Sequence, residues 1–218
     1  MKKVMLIAAV AVMGISANAQ EFRFGPKAGY SFSTLKYKDT ETSMNTDPMH
    51  TFYVGGLAEY KINDKFGIQG EVLYSPLGGK SKYEAEEEDG EFSGLKTKTT
   101  LGTLLVPVSA KYFITEGFSV SAGASFGVIF SAKAKTVFDG GLNIPGLELE
   151  GDKEVDVKDA YNKLNIAPFI GVEYALENGL FFDARYNLGI SNLAKNSGDG
   201  KVTNSFAQIG VGFKFGGN

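Results

Sequence analysis

One property constrains this chain more than any other: over most of its length, apolar residues recur at every second position. A period of two puts alternate side chains on opposite faces of a strand. Between 117 and 133 the even positions are Phe118, Val120, Ala122, Ala124, Phe126, Val128, Phe130 and Ala132. The odd positions there are small or polar, apart from Ile129. Seven more segments alternate in the same way, starting at Phe24, Phe52, Phe66, Leu104, Leu164, Leu180 and Ala207. The charges within these segments share one face: Lys27, Glu59, Lys61, Glu71, Lys111, Glu173, Asp183, Arg185 and Lys214. The opposite face carries none, and it tends to end in Tyr or Phe.

A soluble sandwich also alternates, but its apolar face fills a core and its charged face meets water. Long apolar faces rimmed by aromatics suit the reverse arrangement, with the apolar side in lipid. A strand of ~10 residues tilted by ~45° crosses the hydrocarbon layer. The connections point the same way. Residues 63–65, 115–117 and 177–179 are short links, whereas 36–50, 79–97, 134–160 and 193–203 are long ones. Short and long strictly alternate, as they do where all tight turns lie on one side of a membrane. The predicted fold is all-β: an eight-stranded antiparallel transmembrane β-barrel with short periplasmic turns and long outer loops.

Residues 1–20 have a separate logic. Lys2 and Lys3 precede the apolar stretch from Val4 to Met13, and Ala17-Asn18-Ala19 supplies a small-x-small cleavage site. Residues 1–19 therefore read as a signal peptide cut between Ala19 and Gln20, and 20–218 as the barrel domain. Loss of Lys2 and Lys3 takes the formal charge from −3 to −5. An acidic chain of pI about 5.3 argues against a nucleic-acid partner. With no Cys and one His, disulfides, Cys-ligated metals and multi-histidine metal sites are excluded. The expectation is no metal, no cofactor and no catalytic residue. The 28 glycines, against a usual ~7% of residues, suit small inward positions and turns.

GPKAGYSFSTL after the leader, VPVSAKYF, ARYNLGISNL and the terminal IGVGFKF together resemble the PorT-like outer-membrane β-barrel family of Bacteroidetes. The likeness covers essentially all of the chain after the leader, carried by the order and spacing of these short motifs. The architecture is similar to the small eight-stranded barrels OmpX and the OmpA transmembrane domain. The resemblance implies an outer-membrane location with both termini in the periplasm, and says little about activity. It also implies an aromatic assembly signal read by the barrel-assembly machinery. Phe213 and Phe215 fit that role, although Gly216-Gly217-Asn218 follow.

The inward face determines what such a barrel can do. Eight strands enclose a lumen that side chains just fill. Leu57, Leu73, Leu105, Ile129, Phe169, Phe181 and Phe206 would plug it, so no general pore is expected. Five basic and four acidic inward residues predict a structural salt-bridge network, with Arg185 paired to Glu71 or Glu173. The run Glu84, Glu86, Glu87, Glu88, Asp89 and Glu91 reads as a solvated charged loop, with a divalent-cation site as the alternative. Loop 134–160 carries Leu142, Ile144, Pro145, Leu147 and Leu149, and reads either as a strand-extending hairpin or as a docking surface. His50 lies at the rim before the second segment, where a lone His is usually incidental.

These features predict an outer-membrane barrel with a structural or interaction role: membrane integrity, adhesion or scaffolding. Its expected partners are outer-membrane lipid and lipopolysaccharide, the assembly machinery, and a protein at the outer loops. Three alternatives stay open: a small channel or secretion component, a lipid-modifying enzyme, and a soluble lipocalin-like carrier.

Overall fold

The computed structural model describes residues 22–39, 43–86, 92–139, 153–195 and 200–217. The strands are β1 (Phe22–Lys38), β2 (Ser43–Asn45), β3 (Met49–Lys61), β4 (Phe66–Glu86) and β5 (Phe92–Phe113). They continue as β6 (Phe118–Asp139), β7 (Lys153–Asp156), β8 (Leu164–Ala175), β9 (Leu180–Asn187) and β10 (Lys201–Phe213). A 3-10 turn at Lys158–Ala160 is the one helical element among the described residues.

Eight of the ten strands form a ring. Each pairs antiparallel with its neighbour in the order β10-β9-β8-β6-β5-β4-β3-β1, and β10 pairs with β1 to close it. The seam runs from Lys27 opposite Gly212 to Lys38 opposite Lys201. Closure removes every free edge from the ring, and a membrane requires that, since its interior offers backbone groups no other partner. The short strands β2 and β7 are additions beside β1 and β6.

Alternation sets the faces as the sequence implies. Phe24, Phe52, Ile68, Val108, Ile170 and Phe182 are each at least half exposed on the outside of the ring. Lys27, Glu59, Leu73, Leu105, Phe169, Phe181 and Phe206 are buried within it. The break comes in β6. Thr103 faces Ile129 and Gly102 faces Ser131, which leaves Phe130 as an extra residue on β6. Such a bulge reverses the alternation beyond it. Ala132, expected on the lipid side, is therefore buried inside, and Lys133, expected inside, is exposed.

The two ends differ. At one end β3–β4, β5–β6 and β8–β9 are joined by residues 62–65, 114–117 and 176–179. At this turn end, Asn63 accepts backbone N–H bonds from Lys65 and Phe66, and Gly179 adopts a φ of 90°. At the other end the strands outrun the ring. Much of the expected loop 79–97 is strand, because β4 and β5 stay paired from Gly79–Thr99 out to Glu86–Phe92. The part of the acidic run at 87–91 lies outside the described residues. Loop 134–160 is likewise partly a hairpin: β6 continues to Asp139, and Lys133–Thr136 pair with Lys153–Asp156. Leu142, Ile144, Pro145, Leu147 and Leu149 lie outside the described residues.

Candidate functional site

The lumen is the first place to look for chemistry, and it divides along the axis. On β1, β3, β4, β5 and β8 the buried charges lie nearer the turn end. Lys214 follows the last residue of β10 there, and only Arg185 on the short β9 lies nearer the other end. Lys27 Nζ is 3.2 Å from Glu71 and 2.7 Å from Asp183, and Arg185 Nη1 is 2.9 Å from Glu71. A second group joins Lys111 and Lys214 to both Glu59 and Glu173, at 2.5–2.8 Å. Gln69 links the groups, donating to Glu71 at 2.8 Å and accepting from Lys111 at 3.2 Å. Four cations face four anions, so the buried network is neutral. Glu173 pairs with the lysines and not with Arg185.

Lys61 stands apart. It is the fifth inward cation, yet it makes none of these ion pairs and lies over the Phe113 ring at 4.8 Å. The same motif recurs throughout the network, which the sequence reading missed. Lys27 sits over Tyr53, Lys111 over Phe113, Arg185 over Phe169 and Lys214 over Phe181, at 4.9–5.7 Å. Each buried cation thus has carboxylates on one side and an aromatic face nearby, an attraction worth ~2 kcal/mol where water is excluded. The signal was present in part: Phe113 follows Lys111 by two residues, hence on the same face.

Toward the other end the lumen turns apolar. Tyr53, Leu73, Leu77, Leu105, Ala167 and Phe206 form one packed cluster, and Leu35, Leu101, Ile129, Ala132, Leu193 and Val202 another. Tyr53 lies where Gly29 and Gly210 leave room, and a Cβ on either would strike its ring or hydroxyl. Between the ion-paired groups a cavity of about 20 Å³ remains, lined by Gln69, Glu71, Lys111, Phe169, Glu173 and Arg185. It has room for about one water. Both clusters are buried side chains packed within the ring.

The remaining predicted residues lie elsewhere. Phe213 and Phe215 end the closing strand, their rings 4.9 Å apart on the outside. Phe215 exchanges backbone hydrogen bonds with Phe24 at 2.7 and 3.0 Å, and Gly216 and Gly217 then turn the chain away at positive φ. His50, at the start of β3, packs edge-on against Phe32 at 5.1 Å on the outer wall. Among the described residues, no group of three His, Asp or Glu could hold a metal ion. Ala19 and Gln20 lie outside the described residues.

An apolar outer wall around a polar, plugged lumen defines a class: the inside-out barrel that spans a membrane. That wall rules out the soluble lipocalin-like carrier, whose apolar surface would face inward. The profile of a family described as outer membrane protein beta-barrel domain matches residues 18–195, and the chain belongs to that family. The protein is an integral outer-membrane barrel of a Gram-negative bacterium.

No protein of curated function matches the chain in sequence. Solved structures of similar fold include Ail, the attachment invasion locus protein of Yersinia pestis, at 16% identity and a TM-score of 0.48, covering 89% of this chain and 99% of that one. OprG of Pseudomonas aeruginosa is similar at 14% identity and a TM-score of 0.41, covering 90% and 97%. The outer membrane protease OmpT of Escherichia coli is similar at 8% identity and a TM-score of 0.37, covering 91% and 97%.

Proposed function

We propose that this barrel is a non-catalytic, non-conducting membrane anchor whose working part is the end carrying the extended hairpins. One observation carries the reading: the strands are lengthened at one end only. β4, β5 and β6 run 21–22 residues, where ~10 suffice to span the hydrocarbon. At the other end the chain turns back within four residues. Chain built beyond the membrane on one side alone serves what lies on that side: adhesion, scaffolding or membrane integrity.

In this reading residues 1–19 direct export and are removed before Gln20. Both termini face the periplasm, and the hairpins face outward. Phe213 and Phe215 present the assembly signal to the barrel-assembly machinery, and the backbone pairing of Phe215 with Phe24 lets the aromatic end remain part of the closed seam. Lipid and lipopolysaccharide surround the wall, and a protein partner meets the outer ends. The likeness to the PorT-like barrels of Bacteroidetes fits this placement. The packing of His50 on an outward aromatic supports the absence of a catalytic role.

The absence of native cysteine makes the test clean. Single cysteines at Thr97 and at Asp64 are exposed, in intact cells, to a membrane-impermeant maleimide. Labelling of Thr97→Cys but not Asp64→Cys supports the orientation. The reverse pattern, or neither label on a protein found in the soluble fraction, contradicts it.

A further inference from the structure

The charge balance of the lumen fails at one place, the turn-end mouth. Arg23 precedes Gly25 and Lys27 on the inward row of β1. It adds a sixth inward cation to Lys27, Lys61, Lys111, Arg185 and Lys214. Glu59, Glu71, Glu173 and Asp183 match four of the six. Among the described residues, Arg23 and Lys61 make no ion pair. Glu59 is the carboxylate opposite Arg23 across the ladder, but it holds Lys111 and Lys214 instead. Lys61 follows Glu59 by two residues, so it and Arg23 are diagonal neighbours on one face. Two positive charges thus stand together where the lumen opens.

Arg23 has donors to spare. Its Nη2 donates to the carbonyl of Gly217 at 3.3 Å, a long contact, and its Nε is buried without an acceptor among the described residues. The Nε and Nη2 edge of a guanidinium fits the two oxygens of a carboxylate. Here one carbonyl oxygen stands at that edge and satisfies half of it. Gly217 lies against the side chain, since a Cβ on it would strike Nε. Gly216 and Gly217 both adopt positive φ, and glycine leaves this stretch free to move aside. Beside Arg23 is a pocket of about 930 Å³, between the β8–β9 turn and the chain after β10. Its lining includes Glu116, Glu177 and Asn178. Both glutamates are exposed on turns, and among the described residues neither is ion-paired. The pocket therefore offers one open guanidinium edge and two open carboxylates. Its size is that of a small-molecule site, roughly 300–1,000 Å³.

We propose that this turn-end pocket binds a short zwitterionic peptide by its carboxylate end. Arg23 takes the carboxylate through Nε and Nη2, in place of the Gly217 carbonyl. Glu116 and Glu177 take an ammonium group of the same ligand. Lys61, held over the Phe113 ring at 4.8 Å, adds positive potential at the mouth. The mixed charge selects the ligand. A bare anion or a headgroup phosphate would meet two glutamates as well as the arginine, whereas a ligand of both signs satisfies all three. The site lies at the end opposite the hairpins and goes beyond the function proposed above. Orientation decides only which compartment supplies the peptide, the periplasm in that reading.

The chain has two arginines, Arg23 and Arg185. A nitrogen-15 spectrum of the full barrel in neutral maltoside micelles at mildly acidic pH therefore carries two arginine Nε–H signals, and Arg23→Lys identifies the first. The probes are the tripeptide lysyl-alanyl-alanine, its C-terminal amide, its form acetylated on both amino groups, and a short-chain phosphatidylglycerol. The tripeptide is expected to move the Arg23 signal and leave that of Arg185 in place, and the amide to move neither. Arg23→Lys should bind the tripeptide about tenfold more weakly, the effect of one charge-assisted hydrogen bond. E116Q/E177Q should weaken it by a similar factor, yet bind the acetylated form as the wild type does. Heat-modifiable mobility on gels shows that both variants fold. An unmoved Arg23 signal, an equal response to the amide, undiminished binding by E116Q/E177Q, or a shift from phosphatidylglycerol matching that from the tripeptide would overturn the proposal. Any of these leaves the function proposed above standing, because maleimide labelling judges that separately.

Discussion

Two sets of charges in this molecule obey opposite rules. In the lumen, Lys27, Lys111, Arg185 and Lys214 are matched one for one by Glu59, Glu71, Glu173 and Asp183. On the wall of β4–β6, lysine faces lysine across two ladders. The difference is one of solvent. A buried charge has no water to fall back on, so an unmatched one costs several kcal/mol. An exposed lysine keeps its hydration, and repulsion with its neighbour is screened within about a Debye length. Balance is thus enforced inside, whereas on the wall like charges can stand side by side at little cost.

The comparison breaks most sharply at Glu59. This residue holds both Lys111 and Lys214 and is fully buried. Glu59→Ala leaves Lys111 and Lys214 to share Glu173 alone, one buried positive charge in excess, and a loss of ~3–5 kcal/mol is expected in urea unfolding from vesicles. If Glu59→Ala unfolds like the wild type, the network is not what the lumen depends on. Next comes the close fit of Tyr53 against Gly29 and Gly210. Gly210→Val drives a side chain into the Tyr53 hydroxyl and toward Asp183, and should cost ~1–3 kcal/mol by the same assay. Adding Tyr53→Ala should recover part of that loss.

A milder change sharpens the rule for uncharged polar groups. Among the described residues, the buried Tyr53 hydroxyl has no hydrogen-bond partner. Tyr53→Phe therefore removes a desolvated group without orphaning another, and stability should stay level or rise by up to ~1 kcal/mol. A clear loss would mean that the hydroxyl is satisfied by bound water. The smallest effect belongs to the wall. Lys133 and Glu154 form an ion pair between half-exposed side chains, and Lys133→Gln should leave the midpoint in neutral micelles unchanged within error.

Much of this was legible in the sequence, because a two-residue period is hard to produce by accident. Eight ring strands, the inward set of charges and the Leu and Phe plug follow from alternation alone. The pairing pattern does not. Which lysine meets which carboxylate depends on how strand tilt offsets residues across the ring, so Glu173 reaching Lys111 and Lys214 had no local signature. The upper plug was missed because Leu35, Leu77 and Leu101 fall where the strands were expected to have ended. The reason is the same lysines: Lys80 and Lys82, Lys96 and Lys98, and Lys133 and Lys135 alternate with Ser, Thr and Ala, which reads as loop when apolar content is the guide. A spacing of two between charges is as much a strand signal as a spacing of two between leucines. The bulge at Phe130 was also invisible, since one extra residue leaves composition untouched.

The central claim is that the lumen is closed, leaving the ends and the wall to do the work. Conductance across a planar bilayer tests it most directly. With the purified wild type inserted at neutral pH, no steps above the bare-membrane baseline are expected. Stable, ohmic single-channel steps would contradict the account, because they require a continuous path through layers packed by Tyr53, Leu73, Leu105 and Phe206.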